Sequence, residues 1–174
     1  MANAPRIRNV VNKSTVPAVF LAALTSASTI GLLAQLEGNI LHVYPDKLAG
    51  GIPTYCAGKT DWKIPLDTTF TSDQCAEVNK TTLLEYGFSV LECTRWTNLT
   101  PNRLVALTMF AINVGKSAAC GAQAVAYINR GQIQAGCRLI AYTPSGKPNW
   151  SYAGGVYIQG LHNRRLKEYK LCLS

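Results

Sequence analysis

The chain has 174 residues, and 48% of them are hydrophobic, which suits the core of one globular domain and leaves too little length for two comfortable ones. Its formal net charge of +8 favours an anionic partner, such as nucleic acid, a lipid headgroup or a cell-wall polymer. Charge alone does not choose among these partners.

The first element is an uncharged segment over residues 16–36. As a helix this segment would be about 31 Å long, enough to cross the hydrocarbon core of a bilayer. Its alanines and small polar residues make membrane insertion marginal. Because Arg6, Arg8 and Lys13 precede it, the N-terminus is expected in the cytoplasm and the rest of the chain outside.

A cleaved signal peptide is the alternative for this segment, with Ser26-Ala27-Ser28 as its cleavage site. Apolar residues resume beyond that site, which favours an uncleaved anchor. We therefore expect a basic flank and anchor helix in residues 1–36 and one globular domain in residues 37–174.

Export would explain the six cysteines, because an oxidising compartment allows them to pair. Sequence alone does not select one pairing. The simplest is a ladder of neighbours: Cys56 with Cys75, Cys93 with Cys120, and Cys137 with Cys172. Zinc binding is disfavoured, because neighbouring cysteines are 17 to 35 positions apart and no C-x-x-C motif occurs.

After the anchor, residues 38–70 are rich in glycine, proline, threonine and tyrosine. This composition predicts a small antiparallel sheet with turns at Pro45-Asp46 and Gly50-Gly51. Start and stop signals then predict helices over residues 72–85, 101–114, 118–130, 133–142 and 156–171. The predicted fold class is α+β, with a cleft between the sheet and a mainly helical lobe.

Two acidic residues flank the start of the predicted sheet. Glu37 ends the apolar segment, and Asp46 follows nine residues later. Glycoside hydrolysis needs one carboxyl group as proton donor and a second to activate water or attack the sugar. Each residue also has a plainer interpretation, because Glu37 marks the membrane boundary and Pro-Asp is a common turn dipeptide.

Several motifs follow one another along residues 37–172. They are Glu37-Gly38, Tyr44-Pro45-Asp46, Gly51-Ile52-Pro53-Thr54-Tyr55-Cys56-Ala57-Gly58, Phe110-Ala111-Ile112-Asn113-Val114-Gly115, Gly136-Cys137, Trp150-Ser151-Tyr152-Ala153-Gly154-Gly155 and Gly160-Leu161-His162-Asn163-Arg164-Arg165, then Glu168 and Cys172. Together they resemble the phage-type lysozymes, the endolysins of glycoside hydrolase family 24. The active-site pattern of that family is Glu, eight residues, Asp, five residues, Thr, whereas seven residues separate Asp46 from Thr54 here.

The resemblance implies a lysozyme-like fold and an enzyme that lyses the bacterial host. The bond cut would be the β-1,4 link between N-acetylmuramic acid and N-acetylglucosamine in peptidoglycan. Glu37 would be the general acid, and Asp46 and Thr54 would position or activate the attacking water. No cofactor and no metal are expected.

Some endolysins of this family carry a signal-anchor-release segment, an uncleaved and barely hydrophobic helix that later leaves the bilayer. By this resemblance, residues 16–36 would hold the chain in the host inner membrane before it moves to the periplasm. The expected partners are peptidoglycan and that membrane, without nucleic acid, and a monomer is expected. Two alternatives stay open: a lytic transglycosylase acting on the same bond, and a non-enzymatic membrane-active basic protein.

Two features near the C-terminus have structural interpretations. Four cations on the last helix are predicted to form a solvated face, namely Arg164, Arg165, Lys167 and Lys170. Trp150 and Tyr152 either stack on sugar rings or hold the final helix to the core, and we favour the core.

Overall fold

The computed structural model describes residue 11, residues 13–47 and residues 50–174. Two compact units are present: Leu24–Leu84, and Glu85–Ser174 together with the described residues up to Ala23. Arg6 and Arg8 of the predicted basic flank lie outside the described residues.

The predicted anchor segment forms two helices, α1 (Ala18–Thr25) and α2 (Ala27–Glu37), which are bent by 47° at the break between them. Ser26 occupies that break in an extended conformation and caps α2, because its hydroxyl accepts a hydrogen bond from the backbone N–H of Thr29 at 3.2 Å. In the part of the chain that the structure describes, no single helix has the length and hydropathy of a membrane span, although the bent pair has them in combination.

A three-stranded antiparallel sheet follows α2 directly. Its strands, in sheet order, are β1 (Ile40–Asp46), β2 (Ile52–Cys56) and β3 (Lys59–Thr60). The predicted turn at Pro45-Asp46 is wrong, because these residues end β1 and the turn follows them. The predicted turn at Gly50-Gly51 is confirmed, since both glycines have positive φ, 74° and 82°, a conformation that suits glycine.

The pairing of β1 with β2 has a defined register. The paired residues are Ile40 with Cys56, Tyr44 with Thr54, Pro45 with Pro53, and Asp46 with Ile52. Neither proline has an N–H to donate, so this one pair contributes no backbone hydrogen bond to the ladder.

One face of the sheet carries the core of the unit Leu24–Leu84. Val43 and Tyr55 are buried in a cluster with Cys56 and Cys75, and Phe70 packs against it. The rings of Tyr55 and Phe70 stack with centroids 4.8 Å apart. The Cys56–Cys75 disulfide joins β2 to the next helix, so this cluster fixes the sheet against that helix.

The remaining structure is mainly helical. The helices are α3 (Ser72–Cys93), α4 (Pro101–Val114), α5 (Lys116–Gly121), α6 (Gln123–Asn129), α7 (Ile133–Ala141) and α8 (Gln159–Leu173), and a two-stranded ribbon of β4 (Tyr152–Ala153) and β5 (Val156–Tyr157) precedes α8. The predicted α+β class is therefore confirmed.

The helix boundaries agree with the predictions where capping signals are strong. Thr100 caps α4 by accepting from the N–H of Arg103 at 3.1 Å, and α4 has the predicted bounds. The predicted helix over residues 118–130 is interrupted at Ala122, which is extended. The prediction that the last helix begins at Val156 is wrong, because Val156 pairs with Ala153 in the ribbon.

The three disulfides confirm the predicted ladder. Cys93 pairs with Cys120, and Cys137 pairs with Cys172, in addition to the Cys56–Cys75 bond. These bonds connect α3 to α5 and α7 to α8, so each closes a contact between helices that are near in sequence.

The predicted solvated face of α8 is wrong for two of its four cations. Arg164 and Arg165 are buried and share Glu168, whose Oε1 accepts from Arg164 Nε at 3.0 Å and from Arg165 Nη2 at 2.9 Å. Arg164 also donates to the carbonyl oxygen of Met109 in α4 at 2.9 Å. This ionic cluster therefore ties α8 to α4, whereas Lys167 is exposed as predicted.

Candidate active site

Glu37 is the last residue of α2, and Gly38 ends the helix with φ 80° and ψ 157°. A side chain at position 38 would be strained in this conformation, so glycine allows the chain to leave the helix and enter β1 within a few residues. Glu37 is half-buried, and its Oε1 atom is buried. The helix end therefore holds a partly desolvated carboxyl group directly before the sheet.

Asp46 and Thr54 lie on neighbouring strands of that sheet. Thr54 is directly opposite Tyr44, and Asp46 is two residues beyond Tyr44 in β1. Residues opposite each other in an antiparallel pair share a face, and so do residues two apart in one strand. Asp46, Tyr44 and Thr54 are therefore on one face, while the alternate residues Val43 and Tyr55 point into the core.

The hydroxyl of Thr54 is oriented by the backbone. Thr54 is only 2% exposed, and its Oγ1 donates a hydrogen bond to the carbonyl oxygen of Ile52 at 3.0 Å. A hydroxyl that donates its proton to a carbonyl keeps its lone pairs for accepting. Thr54 can thus accept a hydrogen bond from a water molecule, which is what orienting a nucleophilic water requires.

Tyr44 is the residue of this face that the sequence analysis missed. Burial raises the pKa of its phenol above the ordinary value, and the negative charge of Asp46 raises it further. The phenol can donate a hydrogen bond near the Asp46 carboxyl group. The strand alternation Tyr44-x-Asp46 was a usable signal for it, because it places both side chains on one face.

The long interval between Asp46 and Thr54 leaves the strand pairing in register. Asp46 pairs with Ile52, and Tyr44 pairs with Thr54. The N–H of Gly51 also donates to the carbonyl oxygen of Asp46 at 2.7 Å.

The three residues predicted to act in catalysis all belong to the unit Leu24–Leu84. Register brings Asp46 and Thr54 together, and Glu37 precedes the same sheet at the end of α2. Among residues 11, 13–47 and 50–174, no group of three His, Cys, Asp or Glu side chains converges as metal ligands would. The chemistry that this arrangement offers is that of carboxyl and hydroxyl groups.

Comparison with known proteins agrees with this fold. The phage lysozyme family model matches residues 34–168. The chain is similar to the SAR-endolysin of Bacteriophage PS119, with 28% identity over 177 residues, 99% of this chain and 98% of the relative.

Solved structures give the same result. A mutant of P22 lysozyme matches with a TM-score of 0.72 at 27% identity, over 86% of this chain and 97% of the other. The active form of the P1 phage endolysin Lyz has the same fold, with a TM-score of 0.70 at 20% identity, over 98% of this chain and 96% of the other. With its family match over most of its length and its lysozyme-like fold, the chain belongs to the phage lysozyme family.

Proposed function

We propose that Glu37 protonates the glycosidic oxygen of peptidoglycan while Asp46 and Thr54 hold the attacking water. As a member of the phage lysozyme family, the chain is a glycoside hydrolase, an endolysin that hydrolyses peptidoglycan. Beyond this activity, the proposal specifies which bond is cut and which residues act. The bond is the β-1,4 link between N-acetylmuramic acid and N-acetylglucosamine, and the residues are Glu37, Asp46 and Thr54. The observation that carries it is the shared face of Asp46 and Thr54 on the strands that follow Glu37.

The roles follow from what each group can do. A carboxylic acid can donate its proton to the leaving oxygen, and the half-buried Glu37 is the candidate for this step. Asp46 can accept a proton from water, and the Thr54 hydroxyl, already donating to Ile52, can accept a hydrogen bond from the same water. The water then attacks the anomeric carbon as the glycosidic bond breaks and Glu37 supplies the proton to the departing sugar.

The deciding experiment compares Glu37→Gln with Glu77→Gln on purified sacculi. Glutamine keeps the shape of glutamate and removes the proton that catalysis needs, so we expect release of reducing ends to fall by roughly a hundredfold to ten-thousandfold. Glu77 is an exposed glutamate in α3, and its substitution should leave activity unchanged. Full activity of a correctly folded Glu37→Gln protein would rule out the proposed general acid.

Product analysis separates hydrolysis from the remaining enzymatic alternative. Hydrolysis leaves a reducing N-acetylmuramic acid end, whereas a lytic transglycosylase leaves an anhydro sugar that is lighter by one water. Family membership favours neither the transglycosylase nor the non-enzymatic membrane-active alternative. Mass spectra dominated by anhydro ends would replace the water-based mechanism.

We further propose that residues 16–36 anchor the chain in the host inner membrane, with the N-terminus cytoplasmic, until it is released intact to the periplasm as a monomer. The segment carries no formal charge and follows Arg6, Arg8 and Lys13, and the relative from Bacteriophage PS119 is named a SAR-endolysin. Fractionation over time should find full-length protein first in the membrane and later in the periplasm. A shortened periplasmic form would indicate cleavage instead, and sedimentation of the released form tests the monomer.

A further inference from the structure

An exposed tryptophan lies beside the sheet that carries the candidate catalytic residues. Trp62 is 67% exposed, more than any other large hydrophobic side chain in the described part of the chain. The other two tryptophans are held in place, because Trp96 donates to the carbonyl of Leu91 and Trp150 packs edge-on against Phe110. Tryptophan is usually largely buried, so its exposure here needs an explanation.

Trp62 is exposed on a loop that is fixed, not loose. The N–H of Asp61 donates to the carbonyl of Pro53 at 3.0 Å, and the Asp61 carboxylate accepts from the N–H of Lys63 at 2.8 Å. Ile64 then packs against the core cluster of the same unit. The loop is therefore tied to β2 before Trp62 and to the core after it.

Strand pairing brings the start of this loop next to Thr54. Thr60 is paired with Thr54, and Lys59 with Tyr55. β3 ends at Thr60, and Trp62 lies in the turn that begins two residues later.

We propose that Trp62 stacks on a sugar ring of the peptidoglycan strand, as a binding platform at the edge of the catalytic sheet. This rests on the proposed function, because it takes the substrate of that site as its ligand. A pyranose ring presents C–H groups on one face, and the electron-rich face of an indole attracts them. Its exposed N–H can also donate to a sugar hydroxyl or acetamido group.

Local charge favours a glycan over a bilayer as the partner. Residues 61–67 carry Asp61 and Asp67 against Lys63 alone, so this loop has a net negative charge. An anionic bilayer surface would repel that charge, whereas an N-acetylglucosamine ring is neutral.

The test uses the full chain with Glu37→Gln, which holds substrate without cutting it. Binding of a soluble β-1,4-linked N-acetylglucosamine hexamer is followed by tryptophan fluorescence and calorimetry. We expect Trp62→Ala to raise the dissociation constant roughly three- to tenfold, the range of one ring contact, and Trp62→Phe to restore most of the binding. The matched control is Leu66→Ala, which removes an exposed aliphatic side chain of the same loop and should bind as the parent does.

Equal binding by the Trp62→Ala and parent proteins would overturn the proposal, and so would an equal loss in Leu66→Ala. A fluorescence change of Trp62 with phosphatidylglycerol vesicles and none with the hexamer would assign the residue to the membrane instead. In the chain with Glu37 intact, Trp62→Ala should raise KM on sacculi and leave kcat unchanged. Failure of that intact chain to release reducing ends would refute the proposed function, while the hexamer titration would still decide the role of Trp62.

Discussion

Tyr44 and Thr54 lie directly opposite one another across β1 and β2, and Asp46 is two residues beyond Tyr44 on the same face. A phenol, a hydroxyl and a carboxyl group thus share one patch of the sheet. This relationship extends the candidate site beyond the three residues that the family pattern identifies.

Removing the Tyr44 hydroxyl should slow catalysis without unfolding the sheet. In Tyr44→Phe we expect kcat on sacculi to fall about tenfold with little change in KM, because one hydrogen-bond donor near Asp46 is lost. The control is Tyr55→Phe, which removes a hydroxyl from the core-facing side of β2. An unchanged kcat in Tyr44→Phe would restrict the site to Glu37, Asp46 and Thr54.

The charge of Asp46 should be detectable in the titration of Tyr44. Burial is the larger cause of the raised Tyr44 pKa and the Asp46 carboxylate is the smaller one, so Asp46→Asn should lower that pKa only part of the way. The measurement is the tyrosinate absorbance against pH, with Tyr44→Phe subtracted to isolate this residue. Identical titrations with and without the Asp46 charge would contradict the placement of the two groups.

Gly136 should be intolerant of any side chain. A Cβ there would lie 2.6 Å from Ile128 Cγ1 and 2.8 Å from the carbonyl oxygen of Ala124, so α6 and α7 would have to separate. We expect Gly136→Ala to lower the free energy of unfolding by about 1–3 kcal/mol in urea denaturation. Gly160→Ala, in the first turn of α8 with open space around it, should be neutral or stabilising by up to about 1 kcal/mol.

The buried ionic cluster of α8 should be sensitive to loss of the Glu168 carboxylate. Glu168→Gln leaves the guanidinium groups of Arg164 and Arg165 buried without their shared carboxylate. We expect a loss of about 3–5 kcal/mol in the free energy of unfolding. Glu77→Gln breaks an exposed ion pair with Lys80 and should cost less than about 1 kcal/mol, and similar losses in both would argue against the burial of the cluster.

The Cys56–Cys75 bond should matter for activity as well as stability. Replacing both cysteines by alanine removes a crosslink over 19 residues, which should lower the free energy of unfolding by roughly 3 kcal/mol. Because Cys56 ends the strand that carries Thr54, kcat should also fall. The same change at Cys93 and Cys120 should reduce stability and leave kcat near that of the parent, measured where both variants are folded.

Local signals in the sequence were sufficient for much of this fold. Thr71 and Gln74 form the reciprocal cap that starts α3, and Pro101 after Thr100 starts α4, so both helix starts could be predicted from neighbouring residues. The disulfides follow the simplest pairing of neighbouring cysteines, although the sequence alone did not select that pairing. The motif that contains Glu37, Asp46 and Thr54 gave the candidate residues, although seven residues separate Asp46 from Thr54 where the family pattern has five.

Contacts between distant segments could not be predicted from these local signals. Arg164 and Arg165 were predicted to be solvated, because the sequence shows their charge and not their contacts. The carbonyl oxygen of Met109, which accepts a hydrogen bond from Arg164, belongs to another helix. Val156 was predicted to be helical, because a short apolar run fits the period of a helix as well as that of a strand. In the structure it belongs to a ribbon that depends on its pairing with Ala153. The sequence did not identify Trp62 as a candidate binding residue, because its exposure is a property of the folded chain.

The facing residues Pro45 in β1 and Pro53 in β2 favour the observed alignment of the two strands. A slip of one residue would offset Pro45 from Pro53, remove further hydrogen bonds and turn Asp46 toward the core. We therefore expect the pairing of Tyr44 with Thr54 to depend on the alignment of the two prolines.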